Sequence, residues 1–220
     1  WHRDLLQAGG FSPIVIGGGR HQDPDAPADE IDIVTTHDGP SLMDGEIIAP
    51  AVASDPGHPD FHDHYQDVEA FLRAGGRRGR QLVPLTDGTY FINRLFATIE
   101  RIPKTVIDIG YVGVVVSYVG PKGEDLSGED YSHGEMVTVG SRGVWDTALM
   151  PGKYAFNRYA GKVIPVPTTN IILKWIRGEA GSHGYDENLA EVGLITKDAF
   201  EPSLPLSVVI HIDYRKAPLV

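Results

Sequence analysis

The sequence predicts a predominantly β protein of the α+β class, built from tandem small antiparallel β units with a few short helices. Three observations lead there. Short β-branched and aromatic runs alternate with Gly and Pro from residue 76 to the C-terminus, the punctuation of strands and tight turns. One long motif recurs later in the chain at a constant spacing, the mark of a duplicated unit. Helical periodicity is confined to one stretch, residues 65–74.

Taken in order, residues 1–30 carry the turn formers Gly9-Gly10, Ser12-Pro13, Gly17-Gly18-Gly19, Pro24 and Pro27 around one apolar run, Ile14-Val15-Ile16. They read as a strand inside loops. The triple glycine is followed by neither Lys-Ser/Thr nor a helical pattern, so it lacks the context of a phosphate-binding loop. Residues 51–64, AVASDPGHPDFHDH, are polar and turn-rich. The stretch that follows places Tyr65, Val68, Phe71 and Leu72 on one helical face, and Gly75-Gly76 ends that helix.

The recurring motif is LTDGTYFINRLFATIERIPKT at 85–105 and LMPGKYAFNRYAGKVIPVPTT at 149–169. Gly88 matches Gly152, Tyr90 matches Tyr154, Asn93-Arg94 matches Asn157-Arg158, and Pro103 matches Pro167, all at one constant offset. Arg78-Gly79 and Arg142-Gly143 keep the same offset. Asp87-Gly88 and Pro151-Gly152 suit tight turns in which glycine supplies a positive φ. Alternation then buries Tyr90 with Ile92, and Tyr154 with Phe156, on one strand face. The next runs begin near Ile99 and Val163. A weaker echo joins DIVTTHDGP at 32–40 to GVVVSYVGP at 113–121, at a second, longer offset. The first unit therefore holds extra chain between its two motifs, the stretch occupied by the His-rich loop and the helix. The chain divides into a loop-rich segment 1–30, a first unit 31–110 with the inserted helix at 65–74, a second unit 111–176, and a third element at 189–220.

That third element carries Thr196-Lys197-Asp198, then an alternating strand at 206–214 ending in Asp213-Tyr214-Arg215. It resembles the start of the core SPFH or band 7 domain of stomatins, prohibitins and flotillins. Residues 143–166, with Leu149, Pro151-Gly152 and 154–157, look like that family's opening hairpin, and Gly110-Tyr111-Val112-Gly113-Val114-Val115 is similar to its first strand. From residue 31 onward the chain resembles the front half of a long bacterial flotillin-like protein with an extra copy of the unit. The resemblance implies an anchor before the domain, a coiled coil after it, and homo-oligomers of many copies on a membrane patch. It assigns no catalytic or cofactor-binding residue.

Composition narrows the other possibilities. The chain has 220 residues, 41% hydrophobic and 22% charged, enough to bury a core. Thirty Asp+Glu against nineteen Lys+Arg give a net charge of -11, so nucleic acid is not an expected partner. The one dense basic cluster, Arg73, Arg77, Arg78 and Arg80, reads as a solvated loop. There is no cysteine, which removes disulfides, thiolate metal sites and cysteine nucleophiles. No run approaches the roughly 18 apolar residues of a membrane span, and no signal peptide is visible, so this piece is expected to be soluble; it is the family resemblance that implies lipid contact through segments outside it. Trp1 in place of an initiating Met, and Val220 soon after a strand, read as cut ends of a longer protein.

His58, His62 and His64 with Asp60 and Asp63 are the best metal-ligand cluster, since imidazole and carboxylate suit zinc, nickel or copper. The blander reading is a solvated acidic loop. His211 reads as an ordinary mid-strand residue, and Glu124-Asp125 and Glu129-Asp130 as an inserted loop. No nucleophile elbow G-x-S-x-G occurs, so a hydrolase has only scattered residues in its favour. Trp145, Trp175, Tyr154 and Tyr159 suit core packing or an aromatic belt. The expectation is a non-catalytic scaffold fragment without a cofactor. The alternative is a soluble binding or carrier module, metal-linked through the His-rich loop.

Overall fold

A computed structural model describes residues 13–17, 29–128, 136–176, 182–183, 186–190 and 192–220. Trp1, Gly9-Gly10, Ser12, Gly18-Gly19, Pro24, Pro27 and Glu129-Asp130 lie outside them. The described chain is mostly strand, in several small sheets, with one α-helix and one short 3-10 turn. The predominantly β character follows from the Gly- and Pro-punctuated β-branched runs.

The first unit runs from β2 (Glu30–Thr36) through β3 (Gly79–Arg80), β4 (Gly88–Tyr90) and β5 (Ala97–Pro103), and the segment before residue 31 adds β1 (Ile14–Ile16) to it. β2 lies between β3 and β5, and β1 pairs with β4 as a separate ribbon. The second unit repeats this with β7 (Tyr111–Ser117), β8 (Met136–Val137), β9 (Gly143–Trp145), β10 (Gly152–Tyr154) and β11 (Gly161–Pro167), and β6 (Thr105–Ile107), expected within the first unit, pairs with it instead. Its sheet order is β11-β7-β9-β8, and β6 pairs with β10.

The two offsets seen in the sequence reappear in the ladder. Thr36 faces Ala97 and Gly79, while Ser117 faces Gly161 and Gly143. Asp32 and Leu85 exchange backbone hydrogen bonds of 3.0 and 2.8 Å, and Gly113 and Leu149 do the same at 2.8 and 2.7 Å. The Arg78 N–H donates to the Pro40 carbonyl, and the Arg142 N–H to the Pro121 carbonyl, each at 3.0 Å. β2 and β7 even share one pattern of buried and half-buried positions along their length. The four consecutive buried positions, 31–34 and 112–115, show that both faces of these strands are covered.

A further four-stranded sheet follows. β12 (Ile171–Trp175) pairs antiparallel with β17 (Leu206–Ile210) and parallel with β14 (Asp186–Leu189), whose outer edge carries β13 (Ser182–His183). β15 (Val192–Gly193) and β16 (Ser203–Leu204) form a further ribbon. Short parallel pairs, β8 with β9 and β12 with β14, thus accompany the antiparallel majority.

Several local expectations need correction. The helix, α1, runs Val68–Arg73 rather than 65–74, because the Asp67 carboxylate caps it by accepting from the Ala70 N–H at 2.9 Å. Its C-terminus closes as read: Gly75 takes φ +81°, and the Gly76 N–H reaches back to the Phe71 carbonyl at 2.9 Å. Gly88 does not occupy the left-handed region; a Cβ there would meet the Tyr90 hydroxyl at 2.9 Å, so close approach is what requires glycine. β5 and β11 begin at Ala97 and Gly161, slightly earlier than Ile99 and Val163. The expected strand 206–214 stops at Ile210, which leaves His211 exposed beyond its end rather than mid-strand.

The largest core belongs to the first unit. Ile14, Ile16, Val34, Tyr65, Phe71, Leu85, Tyr90, Ile92 and Phe96 are buried together, with Val68 and Leu72 packed against them. The insertion between β2 and β3 fills this core: Phe71 is fully buried, and its ring meets those of Tyr65 and Phe96 edge-on at 5.7 and 5.5 Å.

Candidate functional site

The feature that joins the units is a tight corner following the hairpin strand. In the first unit Asn93 Oδ1 accepts from the Leu95 N–H at 3.0 Å and the Asn93 carbonyl from the Phe96 N–H at 2.9 Å. Asn157 repeats this with Tyr159 at 3.1 Å and Ala160 at 2.9 Å. Asp213 makes the same corner with Arg215 and Lys216, each at 2.9 Å. The Asn and Asp side chains hold the turn because their short acceptors reach a backbone N–H just beyond the next residue. Asp213 escaped the sequence comparison because it follows Asn157 more closely than Asn157 follows Asn93, and it carries a carboxylate in place of the amide.

The second corner docks on the first unit. Asn157 is buried, and its amide donates to the carbonyls of Gln81 and Leu82, both at 3.0 Å. Tyr159 packs on Ile31, Ile33 and Ile102. Its hydroxyl donates to Glu100 at 2.7 Å, while the Arg80 guanidinium lies 3.5 Å from its ring centroid. Arg158 and Arg80 also pair with Glu100, at 3.3 and 3.6 Å, and Lys153 pairs with Asp29. The Tyr159 hydroxyl, then Arg80 and Arg158, hold the Glu100 carboxyl below its ordinary range; Lys153 does the same for Asp29.

The third corner docks on the second unit in the matching place. Val112, Val114 and Val166, the counterparts of Ile31, Ile33 and Ile102, form a cluster with Ala217 and Ile212. A groove of about 400 Å³ lies beside it, lined by Tyr111, Met150, Thr168, His211, Asp213 and Tyr214. The first corner differs: Asn93, Arg94 and Leu95 are exposed, Leu95 at 86%.

The His-rich loop does not gather its imidazoles. His62 is only 2% exposed, with Nε2 against the Val52 carbonyl at 3.0 Å and Nδ1 accepting from the Tyr65 N–H at 2.8 Å. The two partners assign a neutral ring protonated on Nε2. His58 Nδ1 accepts from the Asp60 N–H at 3.0 Å, and the His64 ring stands edge-on to Tyr90 and Phe61. Asp60 pairs with Arg73, and Asp63 bonds Gln66. Among the described residues no group of three His, Asp or Glu side chains is placed to hold a metal ion.

The remaining candidates scatter. Arg77 pairs with Glu46, Arg78 with Ser41 and Arg80 with Glu100, so the arginines serve separate acceptors. Asp125 accepts from Ser127 within its own loop. Trp145 donates to the Ser141 carbonyl, Tyr154 to the Met150 carbonyl, and Trp175 lies in β12, so the four aromatics occupy different elements. No helix of the described residues is long and apolar enough to cross a membrane. No family model, no curated protein and no solved structure matches this chain.

Proposed function

We propose that this chain is part of a non-catalytic scaffold of the SPFH or band 7, flotillin-like type. In this reading its β units stack to form the wall of a large homo-oligomer on a membrane patch, and lipid contact and oligomerisation reside in segments flanking the chain. The observation that carries the reading is the repeated corner. Asn157 and Asp213 each mark a turn that seats on the apolar sheet face of the unit before it, an arrangement suited to mechanical stacking rather than turnover. The sequence resemblance of residues 189–220, and of the 143–166 hairpin, to that family supplies the rest.

The test is mass photometry with liposome co-sedimentation of the chain extended to its natural ends, beside this fragment. Large closed assemblies that sediment with vesicles are the expected result for the extended protein. A small species that ignores vesicles would remove the scaffold reading.

A further inference from the structure

The loop between Val52 and Asp67 holds three consecutive non-glycine residues in the left-handed region: Asp63, His64 and Tyr65, with φ of 44°, 55° and 69°. Each costs roughly 1 kcal/mol or more against an ordinary backbone conformation, so the surroundings must hold the segment in place. The holding group is His62. Its two ring nitrogens tie the start of the loop, through the Val52 carbonyl, to its end, through the Tyr65 N–H. The ring stacks on Tyr65 at 4.7 Å between centroids and meets Phe71 edge-on at 5.4 Å, so it also forms the lid of the first unit's aromatic core.

We propose that His62 makes this loop a proton-released latch: protonation of its Nδ1 breaks the Tyr65 bond and lifts the loop from the core. The neutral ring can accept at Nδ1, but the imidazolium cannot, and it would set two N–H donors against each other. The charged and titratable groups around it offer little compensation. Asp63 turns to the Gln66 amide, His64 is itself a base, and the Tyr65 phenol donates to the Val83 carbonyl. From the helix side, the Asp67 carboxylate caps the Ala70 N–H. Tyr90 belongs to the packed strand and contacts His64. Burial accordingly lowers the basicity of His62, against a weaker opposing pull from the Val52 carbonyl and Asp63. The sign follows: a histidine whose folded value is depressed stabilises the closed loop fully above its unfolded value, and that stability is lost as pH falls below it. The opened loop bares Tyr65, Phe71 and Tyr90 as an aromatic surface.

Amide hydrogen exchange of the intact chain, corrected for intrinsic rates, tests this between about pH 7.5 and about pH 5.5. Protection of the Tyr65 and Asp67 amides is expected to fall up to about tenfold, as linkage requires, while β7 and β11 amides stay unchanged. His62→Gln, neutral throughout, should abolish the pH response, whereas His58→Gln with His64→Gln should keep it. Should His62→Gln not fold, the wild-type His62 ring is titrated by NMR. An apparent value below the ordinary histidine range, moving together with the Tyr65 amide shift, supports the latch. Unchanged protection across the pH range, a response that survives in His62→Gln, or a His62 ring titrating at or above the ordinary value would overturn it.

Discussion

The two complete units share a backbone register but not the chemistry that fills it. In the first, Asp32 is fully buried and faces Arg101, whose Nε and Nη2 lie 3.0 and 3.2 Å from its carboxylate oxygens. In the second, the same register partners are Gly113 and Pro165. A Cβ at Gly113 would meet Ile107 and Val163 at 2.7 Å, so apolar side chains fill the space the carboxylate uses in the first unit. Both members of the ion pair are absent together, as expected when a buried carboxylate depends on its half-exposed partner and tolerates replacement by packing better than loss of that partner. The junctions diverge likewise. Arg80 and Glu100, which engage Tyr159, have Val144 and Ile164 as counterparts in the second unit. The constant residues include those with backbone duties, Gly79 and Gly143, Asn93 and Asn157, Pro103 and Pro167, beside a few others such as Tyr90 and Tyr154.

Four sets of substitutions break or sharpen that contrast. Phe71→Ala empties the centre of the first unit's core and should cost about 4 kcal/mol in denaturant unfolding, with hydrogen exchange locating the loss in the first unit. Arg101→Ala strands the buried Asp32 carboxylate and should cost about 3 kcal/mol, whereas replacing Asp32 and Arg101 together by Val should recover most of it. A double mutant no better than the single one would mean that the pair is not exchangeable for packing.

Asn157→Ala removes two buried hydrogen bonds and should cost about 2 kcal/mol, while Asn93→Ala, at the exposed corner, should cost under about 0.5 kcal/mol. Equal effects would mean that the corner acts only within its own unit. The smallest effect belongs to Glu100→Gln. Because the Glu100 carboxyl is held below its ordinary range, the wild-type junction is strongest above that range and weakens as pH falls through it. Thermal unfolding between about pH 3 and about pH 6 should show a shallower pH slope in Glu100→Gln.

Much of this was legible in the sequence because backbone roles leave identities. The two constant offsets recur in the ladder because glycine, proline and asparagine at turns and crossings have few substitutes. The β-rich class followed from the same punctuation. The junction was less legible. Tyr159 reads as one more aromatic, and its contacts with Ile31 and Ile102 join positions far apart in sequence. The third corner was hidden by its changed spacing. The His-rich loop misled in another way: its composition suits a metal, but ligation depends on ring direction, and both His62 nitrogens face backbone groups.

The docking direction also bears on synthesis. Ile31, Ile33 and Ile102 belong to β2 and β5, which are complete once Pro103 is made, yet Tyr159 emerges only after the whole stretch from Lys104 to Arg158. At roughly 5 to 20 residues per second on the ribosome, that face waits uncovered for on the order of several seconds. Until then the three isoleucines lie open to water on that side, and the second corner is what finally covers them.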